Sequence, residues 1–381
     1  MQHPSPSNLP SLTITQGACR ALFAFDIGHA IDLDATQKRS QRLTATLVQR
    51  EAIRPSGSSR RLPLDFAQQP PLRITRSARA MQIGEWCTTP SVEAAVYDFG
   101  AVSMTYTIPL SGRFEHLVRL GDMLYDNATL RDDARRRAAD LLAVLDDAIT
   151  NPRLSACIED YLIYEIEKFE ITDGTLQQWM DRSRAILAGV LRSESGPLSM
   201  QESDDALARC LSYSPSDAAL VDWNSAVIID ERASESSGIL EFANVELLEM
   251  RHLDNLLDAS LDRAYRAAER RSRFAWLDAR RAGADMHDIS RLQIEHAALF
   301  EGVNNSLKLV GDQHLARLYH AAAARFHLPE WDASILRKLG TIESIYSKLS
   351  DRAAGRRAEA LEIIIIVLIL FEIVMGLMRV W

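Results

Sequence analysis

Cysteine is scarce and scattered. Cys19, Cys87, Cys157 and Cys210 lie far apart, with no C-x-x-C pair, which argues against a disulfide framework or a zinc site and fits reduced thiols of a cytosolic domain. Glycine (17) and proline (13) are few in 381 residues, which argues against collagen-like or low-complexity chains and predicts that most of the chain is ordered. Positive charge is in deficit: 43 Lys and Arg stand against 52 Asp and Glu, a net −9. General affinity for nucleic acid is thereby disfavoured, although a local basic patch remains compatible. There is no P-loop, no G-x-G-x-x-G following a strand and no G-x-S-x-G elbow, so no cofactor is predicted. The opening "MQHPSPSNLPSLTIT" lacks an apolar core and an Arg-rich amphipathic pattern, and neither a secretory signal nor a transit peptide is expected.

What the chain does have is 47% hydrophobic residues and 25% charged ones, ordinary for a globular protein of two or three domains. Residues 1–17 read as a disordered N-terminus and 18–234 as an α+β domain. Strand-like runs, rich in β-branched and aromatic residues, occupy 19–25, 71–77, 92–108, 157–169 and 218–230. Amphipathic helices are predicted over 113–126, 130–149, 175–192 and 200–211. The mixture of apolar and polar positions in the strands predicts a sheet with one covered face. Asp98–Phe99, Asp160–Tyr161 and Asp222–Trp223 recur at intervals of 62 residues, a candidate strand–helix–helix repeat.

From 235 to 355 only helical patterns remain. The stretch 238–271 places Met250, Leu253, Leu257, Leu261 and Ala264 at three- and four-residue spacing. Helices are also predicted over 286–310 and 312–326, ending near Pro329. Ile335, Leu339, Ile342, Tyr346, Leu349 and Ala353 then alternate in steps of four and three, a coiled-coil seam that a partner copy or the helix 238–271 could satisfy.

That pattern runs without a proline into the greasiest segment, "LEIIIIVLILFEIVMGLM", residues 361–378, part of a predicted transmembrane anchor over 361–380. It holds 13 Leu, Ile, Val or Phe, two Met, one Gly and two Glu. On an insertion scale the apolar residues contribute roughly −4 to −8 kcal/mol and a central carboxylate costs about +2.5 to +3.5. Arg352, Arg356 and Arg357 precede the segment and Arg379 alone follows it, so the positive-inside rule predicts a single-pass protein with its body in the cytoplasm. Leu368, Glu372 and Gly376 share one helix face, predicting contact with a second copy or another membrane protein in addition to the lipid bilayer.

Candidate chemistry is sparse. Glu249-x-x-His252 is half of a di-iron carboxylate motif, and no second half is present. His314, His320 and His327 are spaced too widely for one metal without other ligands. No metal or catalytic residue is assigned. Asp98, Asp160, Asp222 and Asp230 could gather at strand ends around a divalent ion for phosphodiester chemistry, the enzyme alternative. Residues 262–281 hold seven arginines against three acids, with Tyr265, Phe274 and Trp276 interleaved. Arg263, Arg266, Arg270, Arg271 and Arg273 form a candidate docking patch for RNA, a ribosome or anionic headgroups.

Three stretches together resemble one family. "VYDFGAVSMTY" (96–106) is similar to its central strand signature, 247–261 and 300–357 to its helical region, and 361–377 to its closing membrane segment. The family is the "required for meiotic nuclear division" family. The resemblance implies a bacterial, inner-membrane, non-enzymatic scaffold or tether, since members include a mitochondrial inner-membrane protein that supports translation by tethering ribosomes. A ribosomal or RNA partner is implied by the same resemblance, and no catalytic residue carries over.

Overall fold

The computed structural model describes residues 11–41, 46–50, 71–269 and 313–380. Its framework is a nine-stranded mixed sheet. In chain order the strands are β1 Leu12–Asp26, β2 Thr46–Arg50, β3 Leu72–Ser77, β4 Ser91–Val96, β5 Ala101–Arg113, β6 Ile158–Ile171, β7 Cys210–Leu211, β8 Ala218–Val221 and β9 Ser225–Ile229. Across the sheet the order is β7-β8-β9-β6-β1-β5-β4-β3-β2. Every neighbouring pair is antiparallel except β6 and β9.

β1 is central because both of its faces are apolar. Cys19, Ala21, Phe23 and Phe25 point to one side and Leu22 and Ala24 to the other, following the period of two along a strand. It pairs with β6 through Phe23–Asp160 and with β5 through Phe23–Met104. Beside the bulge near Ile14 and Gln16, Gly17 lies so close to β6 that an added Cβ would stand 2.5 Å from the Glu165 carbonyl. β1 begins at Leu12, so 12–17, expected to be disordered, belong to the sheet. Leu12 and Ile14 are buried there, and their apolar contacts outweigh the polar character of the residues before them.

Two runs expected to be single strands are hairpins. The run 92–108 turns through Tyr97–Gly100 between β4 and β5, with the Tyr97 N–H donating to the Ala101 carbonyl. Gly100 has a φ of +112°, and an added Cβ would lie 2.0 Å from the Gly28 carbonyl oxygen, so only glycine fits. The run 218–230 turns at Asp222–Asn224 between β8 and β9.

Both faces of the sheet are covered, which corrects the expectation of one covered face. On the first face lie α1 Leu33–Ser40, α2 His116–Leu124, α3 Ala128–Leu145, α4 Leu176–Arg182, α5 Arg184–Arg192 and α6 Met200–Ala206. Their starts are set by side-chain caps: Asn127 accepts from the Leu130 N–H at 3.0 Å, and Thr175 and Gln178 form a capping box before α4. On the second face Leu22, Ala24, Tyr161, Ile163, Val221 and Ile228 meet α7 Ala233–Glu269 and α8 Gln313–Arg325. Ser236 through Glu246 of α7 are buried on every side.

The domain boundary is accordingly not at 235. One compact unit takes in the chain through His252 together with α8, while the second contains α7 from Leu253 onward and the chain from Trp331. Sequence periodicity changes at 235, but contacts do not, because the first half of α7 supplies the sheet's second cover. α9 Leu328–Val380, which belongs to the second unit from Trp331 onward, is one uninterrupted helix of 53 residues, about 80 Å long. Pro329 lies in its first turn, where the missing N–H costs no helical hydrogen bond. The predicted seam residues Ile335, Leu339, Ile342 and Tyr346 are buried, as are Leu253, Leu257 and Ala264 of α7. Lys338 ties the two helices together, 2.8 Å from Asp254 and 2.5 Å from Asp258. The seam is therefore engaged within the chain.

Candidate functional site

The four aspartates of the enzyme alternative do not converge. Asp98 sits in the β4–β5 turn, where burial pushes its carboxyl up to about 6. Asp160 lies within β6 opposite Phe23, its carboxyl also raised by burial. Asp222 begins the β8–β9 turn, and Asp230 follows β9 at the other end of that hairpin, accepting from the Arg232 N–H at 2.9 Å. A turn, a mid-strand and a turn are different settings, so the interval of 62 residues does not mark a structural repeat. Among the described residues no three His, Cys, Asp or Glu side chains are grouped to hold a metal ion.

Asp222 is instead the centre of a clasp. Its side chain is fully buried, with Arg192 Nε at 2.8 Å from Oδ2 and the Arg325 guanidinium on Oδ1. Both arginines also reach Asp205, at 2.5 Å and 2.6 Å. Burial raises the Asp222 carboxyl, with the Arg325 and Arg192 guanidiniums pulling against it. Two cations and two anions thus join α5, α6, the β8–β9 turn and the end of α8. Asp222 faces two guanidiniums rather than the other three aspartates.

His252, read from sequence as half of a metal motif, lies on α7 beside Asp26, Arg153 and Ser155. Ser155 Oγ is 3.1 Å from His252 Nδ1, and Asp26 Oδ1 is 3.6 Å from Nε2, a constellation of the residue types used by serine hydrolases. The hydrogen-bond directions do not suit that chemistry. Arg153 Nη2 lies 2.7 Å from Nε2; a guanidinium only donates, so Nε2 must carry the lone pair. Nδ1 therefore bears the proton and donates to Ser155 Oγ, which also accepts from the Cys157 N–H at 3.1 Å. The imidazole has no lone pair aimed at the serine and cannot serve as its base. Burial, then the Arg153 charge, lowers the His252 pKa to about 4, in keeping with a neutral ring. Beside it Glu159 on β6 pairs with Arg251 on α7, and burial pushes that carboxyl up to about 7.

A third polar cluster escaped the sequence reading. On the α7 face, Arg73 on β3 is 2.6 Å from Glu93 on β4 and 2.9 Å from Glu241 on α7. Arg20 on β1 is 3.1 Å from the same Glu93 and 3.8 Å from Glu165 on β6. Thr105 Oγ1 on β5 donates to Glu241 at 3.3 Å. Burial works against the Glu241 charge, but Arg73 and Arg20 more than offset it and hold its carboxyl below the ordinary range. The available signal was a charge at an inward position of an otherwise apolar strand, as in "CRALFAFD" and "LRITRS".

Of the predicted docking patch, Arg263 and Arg266 are exposed on α7, with Arg263 donating to Ser260 Oγ at 2.9 Å. Arg270, Arg271 and Arg273 lie outside the described residues. His314 meets the Tyr213 ring edge-on and His327 is 3.6 Å from Glu330, so the predicted histidines have separate neighbours. On α9, Leu361 and Ile363 through Phe371 are all more than half exposed. Leu368 is among them, while the side chains of Glu372 and Gly376 lie outside the described residues. Among the described residues no helix is long and apolar enough to cross a membrane; the transmembrane segment expected from sequence is not found there.

A nine-stranded mixed sheet covered on both faces, with ion-paired clusters between its elements, defines a mixed α/β protein. Residues 16–235 match the family described as uncharacterized protein MJ0711, N-terminal domain, and the chain belongs to that family. The uncharacterized protein MJ0711 of Methanocaldococcus jannaschii is 23% identical over 225 residues, covering 58% of this chain and 67% of that protein. No solved structure matches.

Proposed function

We propose that this protein is a membrane-tethered scaffold of the bacterial inner membrane, inserted through α9, whose cytoplasmic body receives a protein partner. The observation that carries this reading is the exposed run on α9. Nine consecutive side chains, Ile363 through Phe371, are each more than half exposed and all apolar. Successive residues step about 100° around a helix, so the run is apolar on every side. An amphipathic helix resting on a protein surface would need one apolar face only. A helix apolar all round is suited to surroundings that are apolar all round, and lipid meets that requirement.

The full segment 361–378 continues the pattern in sequence, and on the insertion scale it is favourable by roughly 1–5 kcal/mol after one central carboxylate is charged against it. The excess of arginines before the segment directs the body to the cytoplasm. The resemblance to the "required for meiotic nuclear division" family extends the reading to a translation-related partner, for which Arg263 and Arg266 offer exposed positive charge. Carbonate washing of membranes from cells expressing the full chain tests the anchor. Retention in the pellet is expected, with Cys87 and Cys210, both exposed, protected from an impermeant thiol reagent until the membrane is opened. Release into the supernatant, or labelling in intact cells, would overturn it.

A further inference from the structure

The polar cluster under α7 contains an imbalance of charge. Across the sheet, Glu165 on β6, Arg20 on β1, Glu93 on β4 and Arg73 on β3 all face α7, and Glu241 lies above them. Two guanidiniums face three carboxyls among the described residues. Arg73 serves Glu93 and Glu241 at 2.6 and 2.9 Å, and Arg20 serves Glu93 at 3.1 Å. Glu165 receives only the long contact to Arg20, at 3.8 Å, and its side chain is 8% exposed. If all three carboxyls were ionised, the core would carry a net negative charge away from water, an expensive state.

We infer that Glu165 carries a proton in the folded core, and that its release makes the docking of α7 on the sheet sensitive to pH. The groups facing Glu165 allow this. Arg20 on β1 favours the anion, while Glu241 on α7, Glu93 on β4 and Glu167 on the same strand oppose it. The in-register neighbour on β9 is the apolar Ile228. On α7 the Ser237 hydroxyl lies beside Glu165 and favours its anion; a hydroxyl can either donate or accept, so it can serve the acid in both protonation states. Burial displaces the Glu165 carboxyl upward, with Arg20 and Ser237 only partly countering it. Losing the proton places an uncompensated anion beside the paired Glu241, on the part of α7 that covers the sheet.

The sign follows from linkage. A carboxyl with a raised pKa in the fold binds its proton more tightly there than in the unfolded chain, so stability falls as pH rises through the folded value. The test is chemical denaturation of the full chain in detergent between about pH 5 and pH 9, comparing wild type with Glu165→Gln, a mimic of the protonated acid. The two should match at the acid end, with the ratio of the variant's folding constant to that of wild type rising as pH rises toward the alkaline end. A difference between them that does not change with pH would overturn the inference. Infrared spectroscopy of the Ser237→Ala protein gives a readout that does not depend on Glu165→Gln folding. A protonated-carboxyl C=O band that shifts upward relative to wild type is expected, and an unshifted spectrum would overturn the assignment to Glu165.

Discussion

Glu159 and His252, one on β6 and one on α7, titrate in opposite senses. Glu159 is raised to about 7 by burial, so its contribution is fully present below the unfolded value of about 4.5 and is lost as pH rises through 7. His252 is lowered to about 4 by burial and by Arg153, so its contribution is present above the unfolded value of about 6.5 and is lost as pH falls through 4. Each shift corresponds to about 3 kcal/mol, and over the shared window the two cancel. Glu159→Gln should expose the histidine's acid sensitivity, and His252→Gln the carboxyl's alkaline sensitivity, in denaturation midpoints measured across pH. Parallel curves for both variants and wild type would count against this pairing. Gly100 offers a simpler residue-scale expectation. Gly100→Ala places a Cβ 2.0 Å from the Gly28 carbonyl in a backbone with φ +112°, and should cost about 2–4 kcal/mol by combining steric overlap with backbone strain, read as a lowered denaturation midpoint.

At the scale of elements, the long apolar runs were legible and their turns were not. The runs 92–108 and 218–230 each read as one strand because the residues flanking Asp98 and Asp222 stay apolar, and turns of four and three residues barely interrupt the pattern. The glycine in "YDFG" and the asparagine in "DWNS" were the available turn signals. Strand β2 and helix α1 were missed altogether: α1 is short and largely polar, and it depends on the Asp32 side chain accepting from the Asp34 and Ala35 N–H groups. The half of α7 that covers the sheet was read as part of a separate helical region, since its periodicity continues unbroken past His252 while its burial does not. The Asp222 clasp was invisible for a related reason, because its members come from positions 192, 205, 222 and 325. Its worth is measurable. Asp222→Ala removes the buried acceptor from Arg192 and Arg325, whose side chains are only 14% and 16% exposed. Asp205 retains part of the pairing, so the expected loss is about 2–4 kcal/mol, at or below the range for a broken buried ion pair. Because Arg325 ends α8, hydrogen exchange should quicken in residues 313–325 before it does in β1; exchange that quickened equally everywhere would argue that the clasp is not local to α8.

At the scale of the whole molecule, the decisive balance lies on α9. The exposed run from Ile363 to Phe371 stands in water only at a cost that grows with apolar area, whereas in lipid each residue gains about 0.3–0.6 kcal/mol. The favourable total for the segment 361–378, roughly 1–5 kcal/mol, is small enough that two charges reverse it. Replacing Ile366 and Ile369 with lysine removes two favourable terms and adds two penalties, together about 6–8 kcal/mol. These positions lie three residues apart, on one side of the helix, and both replace side chains more than half exposed, so the sheet unit should keep its circular dichroism and thermal transition. The double variant should leave the carbonate-washed pellet for the supernatant while conservative Ile366→Leu and Ile369→Leu replacements stay behind. Retention of the lysine variant would mean that something other than lipid covers this helix, and the proposed insertion of α9 would fall.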